Sequence, residues 1–309
     1  MIDVAIIGGG PAGLNAALYA GRAGLDAVLF EKMFAGGQMV TTTQLDNYIG
    51  FPGGVGAVDL AMNMEEQAKS AGAKIQYEEI LNLDLSGTVK KIKTGKQEYD
   101  AKAVILCMGA TPRALGVDGE ERLRGRGVSF CATCDGAFFK GKAVAVVGGA
   151  VTALEDALFL SRYCDKVYLI HRRNAFRGTK IVSDKVGQMK NVDVIWDTVV
   201  ERINGQDKVE SIDVKNVQNE EPRTITLDGV FIAVGTQPNN ALVQGKVALD
   251  EQGYVLAGED MKTNVKGVFA AGDLRQKLLR QIITAASDGA VAVYSAARYI
   301  DTEFVDREE

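Results

Sequence analysis

Apolar runs of strand length alternate with helical segments along the chain, and this alternation predicts an α/β protein. Residues 2–7 (IDVAII) form the first apolar strand, a Gly-rich turn follows over residues 8–13, and residues 14–23 form an alanine-rich helix. A second strand over residues 26–30 ends at Glu31. The order strand, turn, helix, strand predicts a βαβ unit with a parallel sheet.

The same pattern occurs again further along the chain. It consists of a strand over 143–147, a turn over 148–153, a helix over 154–162 and a strand over 166–170. Because each βαβ unit opens with a Gly-rich turn, the sequence predicts two dinucleotide-binding sites.

Each unit also has a later apolar strand. Residues 104–109 (VILCMG) follow the first unit and residues 230–235 (VFIAVG) follow the second, and a threonine and then a proline come soon after each. These paired strands suggest two domains built on one plan. The segments near 113–118 and 243–248 are the best crossing points between them.

One more buried strand, residues 267–273 (GVFAAGD), ends at an acid and indicates that the chain returns to the first domain. The predicted fold class is therefore α/β, with two Rossmann-like, three-layer domains and the second inserted in the first. The predicted domains are residues 1–115 with 248–309, and residues 116–247.

Composition and charge exclude several classes of protein. Hydrophobic residues make up 47% and charged residues 24%, as in a globular protein, and the net charge of -5 offers no basic field for nucleic acid. No apolar run approaches the ~18 residues that a membrane span needs. The first strand begins directly after the initiator, which leaves no room for a targeting peptide.

Cysteine and histidine usage narrows the chemistry. Four cysteines are too few for a disulfide scaffold, so the expected setting is a reducing cytoplasm with one redox-active pair. His171 is the single histidine, which disfavours zinc sites and triad hydrolysis. We therefore expect no metal.

The first turn fits the G-x-G-x-x-G dinucleotide fingerprint in its proper context. Gly8 permits the tight turn, Gly10 lets the backbone approach a pyrophosphate, and Gly13 allows close helix packing. Glu31 ends the second strand, where a carboxylate can accept hydrogen bonds from both ribose hydroxyls. A Gly-rich turn in an unliganded domain is the alternative.

The second turn is less regular. Gly148 keeps the first position, but Ala150 stands where the second glycine would admit the pyrophosphate, and Ala153 replaces the third. After the next strand the chain carries His171 and then a cationic cluster, formed by Arg172, Arg173 and Arg177. Guanidinium groups suit a 2'-phosphate, so this cluster favours NADPH over NADH, with a solvated basic segment as the alternative. We expect His171 to orient or pack rather than to catalyse.

Cys131 and Cys134 form a C-x-x-C motif just upstream of the second turn. Half a zinc site and a pair of inert thiols are two interpretations, but redox activity is favoured because this spacing lowers a thiol pKa and permits attack on a mixed disulfide. Asp135 is the adjacent proton donor and acceptor, unless it only caps a turn. Cys107 and Cys164 are predicted to be structural.

Taken in order, these motifs carry a resemblance to a known family. They are Gly8 to Gly13, Gly36-Gly37-Gln38, Cys131 to Gly136 (CATCDG), His171 to Arg177, and Gly272-Asp273. The chain resembles, over essentially its whole length, the low-molecular-weight, bacterial-type thioredoxin reductases, which are FAD-dependent pyridine nucleotide-disulfide oxidoreductases. The larger enzymes of this kind carry their dithiol in the first domain, so the position of the motif here argues against them.

The resemblance implies the cofactors and the residues that bind them. FAD is expected in the first domain, on Gly8, Gly10, Pro11, Ala12, Gly13, Glu31, Lys32, Gly36, Gly37, Gln38, Asn47, Gly272, Asp273, Leu274, Arg280, Gln281, Ile282 and Ile283. NADPH is expected in the second domain, on Gly148, Gly149, Arg172, Arg173 and Arg177.

The resemblance also implies the reaction and the partners. Electrons are expected to pass from NADPH through FAD and the Cys131/Cys134 dithiol to oxidised thioredoxin, with Asp135 protonating the departing thiolate and the domains rotating between half-reactions. A cytoplasmic homodimer is implied. Arg126 and the pair Phe138-Phe139 resemble a docking surface for thioredoxin, although the aromatic residues could equally be core.

One departure from the family concerns only the second Gly-rich turn, where NADPH is expected to bind. Ala150 and Val151 replace its usual glycine followed by Asn or Asp. Two alternatives to the leading hypothesis therefore stay open: a flavin-dependent thioredoxin reductase fed by another donor such as reduced ferredoxin, and a non-catalytic redox-sensing flavoprotein.

Overall fold

The computed structural model describes residues 1–177 and 180–305, and it divides into two compact units. The first unit contains Met1–Thr111 and the chain from Gln237 onward, and the second contains Pro112–Thr236. The chain thus leaves the first unit before the segment 113–118 and returns before the segment 243–248. Val243 and Val247 are buried in the core of the first unit, which is why that segment belongs to the first unit.

The helices and strands follow one another in a regular order. Before the inserted unit come β1 (Ile2–Ile7), α1 (Pro11–Arg22), β2 (Ala27–Glu31), β3 (Gln44–Leu45), β4 (Val55–Gly56), α2 (Ala57–Ser70), β5 (Lys74–Tyr77), β6 (Ile80–Asp84), β7 (Lys90–Thr94), β8 (Glu98–Leu106) and β9 (Ala110–Pro112). Then come β10 (Val128–Ser129), α3 (Ala132–Asp135), β11 (Ala143–Val147), α4 (Val151–Leu160), β12 (Lys166–Ile170), α5 (Lys180–Gly187), β13 (Val192–Ile195), β14 (Thr198–Asn204), β15 (Ser211–Asn216), β16 (Pro222–Thr226), β17 (Gly229–Ile232) and β18 (Thr236–Pro238). The chain ends with β19 (Val268–Ala270) and α6 (Ile282–Ile300).

The sheet of the first unit is parallel in its central part, in the order β5-β2-β1-β8-β19. The antiparallel strands β7 and β6 continue from the N-terminal half of β8. Alternate residues of β1 face opposite layers: Val4 and Ile6 pack in one core with α1, α2 and α6, whereas Ala5 and Ile7 pack in the other with β6 and β7. Burial on both faces explains why β1 is apolar at nearly every position.

The second unit repeats this plan. Its parallel sheet has the order β13-β12-β11-β17-β10, and the antiparallel strands β14, β15 and β16 form a separate meander. Val144 and Val146 face α4 and α5, while Ala145 and Val147 face the meander. Both units are therefore three-layered and Rossmann-like, and the predicted fold class is confirmed.

Two negative findings apply to the described residues. None of their helices combines the length and the apolar character that a membrane crossing requires. They also contain no group of three or more His, Cys, Asp or Glu side chains placed to hold a metal ion.

Candidate functional site

The first Gly-rich turn is shaped by close contact between backbones. Gly8 has φ +107, and a Cβ there would lie 2.6 Å from the carbonyl oxygen of Cys107. A Cβ on Gly13 would lie 1.9 Å from the carbonyl oxygen of Gly8. Both positions therefore need glycine for the fold itself.

Gly10 differs from these two glycines. A Cβ there would have Gly37 Cα, at 4.0 Å, as its nearest neighbour, so packing within the protein does not demand glycine. Gly10 is also the N-cap of α1, and no side chain caps that helix end. Open space beside unsatisfied helix N–H groups is what an approaching pyrophosphate needs.

Glu31 lies at the end of β2, directly beside this turn. Its Oε2 accepts a hydrogen bond from the Gly9 N–H at 2.8 Å, and its Oε1 accepts one from the Met33 N–H at 3.2 Å. These bonds hold the carboxylate at the carboxyl end of the sheet, where a ribose would be recognised.

A pocket of about 180 Å³ opens on this side of the first unit, and a neighbouring one of about 670 Å³ shares part of its wall. Predicted residues that line the first are Gly8, Gly10, Pro11, Ala12, Glu31, Gly37, Gln38, Gly272, Asp273, Gln281 and Ile282. Lys32 lines the second. Gly36 lies beside the turn, since its N–H donates to the Gly9 carbonyl at 2.8 Å.

Sequence reasoning missed some of the lining. Met108, Asn239 and Ala285 contribute to the pocket wall. Asn239 donates from Nδ2 to the Met108 carbonyl at 2.8 Å and accepts from the Thr111 hydroxyl at 3.0 Å. Met108 lies near the carboxyl end of the predicted strand 104–109, so the rule that ligands bind at the carboxyl ends of parallel strands could have found it.

Asp273 gives the clearest indication that this pocket binds a ligand. Its Oδ1 is buried and has no hydrogen-bond partner among the described residues. Burial raises the pKa of this carboxyl, while Lys277 and Arg280 lower it and Asp288 raises it further. A buried polar atom without a partner is expected to bind a group that the protein alone does not provide. The ribityl hydroxyls of FAD are such groups, so the residues present fit a flavin.

A buried ion cluster holds the backbone beside Asp273. Asp288 of α6 accepts hydrogen bonds from the Gly272 N–H at 3.0 Å, from Arg275 Nε at 2.9 Å and from Lys277 Nζ at 2.7 Å. Burial raises the pKa of Asp288, but the hydrogen bonds and charges of Arg275 and Lys277 outweigh it and keep that pKa below its usual value. The cluster thus stabilises the turn that carries Asp273.

The other residues expected to contact the flavin occupy varied positions. Gln281 accepts a hydrogen bond from the exposed Asn47 side chain at 3.0 Å, and the Arg280 guanidinium lies over the Tyr254 ring at 4.1 Å. The Leu274 side chain is fully buried in the core, whereas Ile283 is exposed. Neither Leu274 nor Ile283 lines the pocket of about 180 Å³.

The second Gly-rich turn keeps the same backbone restraints. A Cβ on Gly148 would lie 2.4 Å from the carbonyl oxygen of Ala233. A Cβ on Gly149 would lie 2.1 Å from the His171 ring, so His171 lies directly against the turn. Ala150 is exposed and is the N-cap of α4.

His171 organises the segment that carries the arginines. It is buried, its Nε2 lies 3.1 Å from the Ala175 carbonyl, and its ring stacks on Phe176. Burial lowers the pKa of His171, the Ala175 bond opposes this, and the charges of Arg173, Arg172 and Arg177 lower it further. The His171 ring thus packs against the turn and against Phe176.

The three arginines gather beside the second turn. Arg177 N–H donates to the Gly149 carbonyl at 2.8 Å, and the side chains of Arg172, Arg173 and Arg177 are exposed. The structure thus brings the predicted cationic cluster to the predicted turn.

Cys131 and Cys134 form a disulfide, with their Cα atoms 5.3 Å apart. Cys131 is the N-cap of the short helix α3, and its carbonyl accepts the N–H groups of Cys134 and Asp135 at 3.2 and 3.1 Å. Both cysteines are half-buried. Cys107 and Cys164, in contrast, are free and buried, and burial raises the pKa of Cys107 and brings that of Cys164 to about 11.

Ser129 is a further residue that sequence reasoning missed. It lies at the end of β10, is 5% exposed, and its hydroxyl donates to Asp135 Oδ2 at 2.6 Å. The Ser129 hydroxyl oxygen also accepts a hydrogen bond from the Cys131 N–H at 3.1 Å. Ser129 thus joins the first cysteine to the acid.

The structure separates the aromatic pair beside the dithiol. Phe139 is buried and packs edge-on against Phe231, with ring centroids 5.3 Å apart. Phe138 is 41% exposed, and Arg126 is also exposed. Phe139 is therefore a core residue, and only Phe138 and Arg126 are available to a partner.

Comparison with known proteins identifies the family. The model of the pyridine nucleotide-disulphide oxidoreductase family matches residues 2–289. The chain therefore belongs to this family.

Similar proteins carry a more particular name. The chain is 44% identical over 310 residues to a thioredoxin reductase of Peptoclostridium litorale, covering 98% of each protein, and 43% identical over 300 residues to one of Treponema pallidum, covering 97% of each. A crystal structure of thioredoxin reductase from Streptococcus pyogenes is 40% identical, with a TM-score of 0.92 and coverage of 98% of this chain and 99% of that one.

Proposed function

We propose that this protein is a thioredoxin reductase, which uses NADPH to reduce the disulfide of thioredoxin. The observation that carries the proposal is the Cys131–Cys134 disulfide on a nucleotide-binding unit that is itself inserted in a second such unit. Similarity to thioredoxin reductases over nearly the whole chain supports it.

The first unit is the proposed FAD site. Gly8, Gly10 and the N-terminus of α1 would hold the pyrophosphate, Glu31 the ribose and Asp273 the ribityl chain. When bound, FAD takes up the two electrons of a hydride and can deliver them to a disulfide. The open space at Gly10 and the unpartnered Oδ1 of Asp273 support this assignment.

The dithiol is the proposed redox centre. In its reduced form, the Cys131 thiolate would attack the substrate disulfide, and Cys134 would then displace the substrate from the mixed disulfide. Two protons leave the dithiol and two arrive on the substrate sulfurs, so a group must carry protons between them. Asp135 is adjacent to Cys134 and is the proposed carrier.

NADPH is the proposed donor because the second unit presents Arg172, Arg173 and Arg177 beside its Gly-rich turn. A donor such as ferredoxin is the second candidate, favoured by the methyl group of Ala150 where the first unit has Gly10. We assign the proposed enzyme to the cytoplasm, where free thiols such as those of Cys107 and Cys164 persist.

A homodimer is proposed as the working assembly. Large apolar side chains of the first unit are exposed, among them Ile49 at 83% and Leu278 at 102%. Exposed apolar surface of this kind marks interfaces. A monomer at micromolar concentration, measured by light scattering, would contradict this part of the proposal.

Anaerobic titration of the purified yellow protein with NADPH tests the donor. Bleaching of the flavin absorbance at one equivalent supports NADPH, whereas bleaching by reduced ferredoxin or dithionite alone supports the second candidate. Adding oxidised thioredoxin to the reduced protein then tests the acceptor. If the flavin colour does not return and no thioredoxin thiols form, the proposed activity is wrong.

A further inference from the structure

Ser129 occupies the position in the second unit that corresponds to an apolar core residue in the first unit. By sheet register Ser129 lies opposite Phe231 of β17, just as Phe269 lies opposite Ile105 of β8 in the first unit. Phe269 is 1% exposed and packs in the core. A hydroxyl at such a site is costly to bury unless it is fully hydrogen-bonded. The second unit therefore has the hydroxyl of Ser129 at the position where the first unit has the ring of Phe269.

The contacts of Ser129 determine the direction of its proton. Its oxygen accepts the Cys131 N–H at 3.1 Å, so its own proton must go to another acceptor. Asp135 Oδ2 is 2.6 Å away, whereas the Cys131 carbonyl is 3.4 Å away, beyond a normal hydroxyl hydrogen bond. The proton of Ser129 is therefore directed at Asp135 Oδ2.

We propose that Ser129 is a positioning residue that holds Asp135 as an ionised base next to the dithiol. This inference rests on the proposed function, because it concerns the proton that leaves the dithiol during disulfide exchange. A hydrogen bond to a carboxylate is stronger than one between neutral groups, so the hydroxyl favours the ionised form. It also ties the acid to the backbone of Cys131, which keeps Asp135 in place as the sulfur–sulfur bond opens and closes.

The proton balance of the step is simple. When the reduced dithiol meets a disulfide, one of its thiols loses its proton to Asp135, and the resulting thiolate bonds to one substrate sulfur as the bond between the two substrate sulfurs breaks. Asp135 returns that proton to the substrate sulfur that leaves. The second thiol then loses its proton to Asp135 and displaces the other substrate sulfur from the mixed disulfide, which closes the Cys131–Cys134 bond, and Asp135 returns this second proton to that sulfur. The dithiol is oxidised and the substrate disulfide is reduced, with no other reactant.

Other charged groups near α3 could also affect the pH dependence. In the described part of the chain, α3 has its most extensive contacts with the turn Gly136–Phe139, which has no titratable side chain, and with α4, which carries Glu155 and Asp156. Burial and the charge of Glu155 raise the pKa of Asp156 to about 7. An Asp156→Asn control is therefore necessary.

The test measures disulfide exchange without NADPH or thioredoxin. The full-length flavoprotein is reduced with dithiothreitol, desalted anaerobically and mixed with 2-hydroxyethyl disulfide, and the single-turnover rate is followed against pH. We expect Ser129→Ala to slow the reaction about 10-fold at neutral pH. We also expect the acid limb of the profile to move up by roughly half to one pH unit, because the carboxylate loses a charge-assisted bond.

A double-mutant cycle separates positioning from general damage. In an Asp135→Asn background Ser129→Ala should have no further effect, because Ser129 acts through Asp135. Ser129→Thr, which keeps the hydroxyl, should retain the wild-type acid limb even if its methyl group lowers stability. Ser161→Ala is the matched control, since it removes a hydroxyl that donates to the Leu158 carbonyl at 2.8 Å in the same unit.

Three results would overturn the inference. The first is an acid limb unchanged in Ser129→Ala, and the second is equal slowing by Ser129→Ala with and without Asp135. A limb that moves in Asp156→Asn instead would assign the base to α4 and also overturn it. Failure of the wild-type protein to reduce thioredoxin would contradict the proposed function without affecting this assay. The two claims can therefore fail separately.

Discussion

The two units share one backbone plan and differ in the charge at its key position. In each, the second residue of the Gly-rich turn contacts a residue at the carboxyl end of the second strand: the Gly9 N–H donates to Glu31, and Gly149 lies against the His171 ring. The first unit thus presents a carboxylate to its turn, and the second presents an imidazole followed by arginines. In the proposed function, the shared plan holds both nucleotides and these side chains distinguish between them.

A second difference lies at the carboxyl end of the parallel strand that pairs with β8 in the first unit and with β17 in the second. In the first unit β19 leads to Gly272 and Asp273, and in the second β10 leads to Cys131. Both strands pair in the same way, with β8 and β17 respectively. The corresponding strand end therefore leads to the proposed flavin ligand Asp273 in the first unit and to a disulfide in the second.

The largest expected effect comes from a substitution in the dithiol that leaves both Gly-rich turns intact. Cys134→Ser removes the sulfur that resolves the mixed disulfide, so thioredoxin reduction should fall by at least about 10⁴-fold. Bleaching of the flavin by NADPH should be unchanged, because neither turn is altered. Steady-state thioredoxin reduction and anaerobic titration measure the two effects. Undiminished thioredoxin reduction would refute the redox role of the pair.

Asp288→Asn tests the buried ion cluster beside this strand end in the first unit. Leaving Arg275 and Lys277 buried without their anion should lower the free energy of unfolding by about 3–5 kcal/mol at neutral pH, measured by urea denaturation. Because the folded pKa of Asp288 lies below its unfolded value of about 4, this contribution is present above that pH and is lost as the pH falls through the folded pKa.

The control for this prediction is an exposed ion pair of the same unit. Asp260 lies 3.0 Å from Lys262, and Asp260→Asn should leave the unfolding curve nearly unchanged. Equal effects of the two substitutions would show that burial of the cluster is unimportant.

Removing the arginines should make the second turn resemble an NADH site. Arg172→Ala and Arg173→Ala should each raise KM for NADPH about 10- to 100-fold, since each would lose a charged hydrogen bond to the 2'-phosphate, and should leave KM for NADH unaltered. Arg162→Ala, an exposed arginine after α4, is the charge-matched control. Parallel losses with both nucleotides would contradict a 2'-phosphate site.

The smallest effects are expected from exchanging the third turn residue between the units. Gly10→Ala should weaken FAD binding about 5- to 100-fold without unfolding the apoprotein, because the new methyl has only a 4.0 Å contact within the protein. Ala150→Gly should lower KM for NADPH several-fold. Titration of apoprotein with FAD and steady-state kinetics give the two values, and unchanged FAD affinity would place the pyrophosphate elsewhere.

The sequence by itself determined the two βαβ units, the position of the C-x-x-C motif and the class of fold. These features depend on local patterns: continuous apolar strands, glycines at fixed spacing, and cysteines two residues apart. Each of these patterns lies within a short stretch of consecutive residues, so it can be recognised without a structure. The exact points at which the chain crosses between the units could not be recognised in this way, because Val243 and Val247 are assigned to a unit only by the residues they pack against.

Only the tertiary structure decided how individual side chains are used. Phe138 and Phe139 are neighbours of one type, yet one is exposed and the other is core. Ser129 has no motif, and its link to Asp135 exists because β10 ends where α3 begins. Hydrogen bonds and burial depend on partners distant in sequence or on the exact path of the backbone, and a linear pattern does not contain that information.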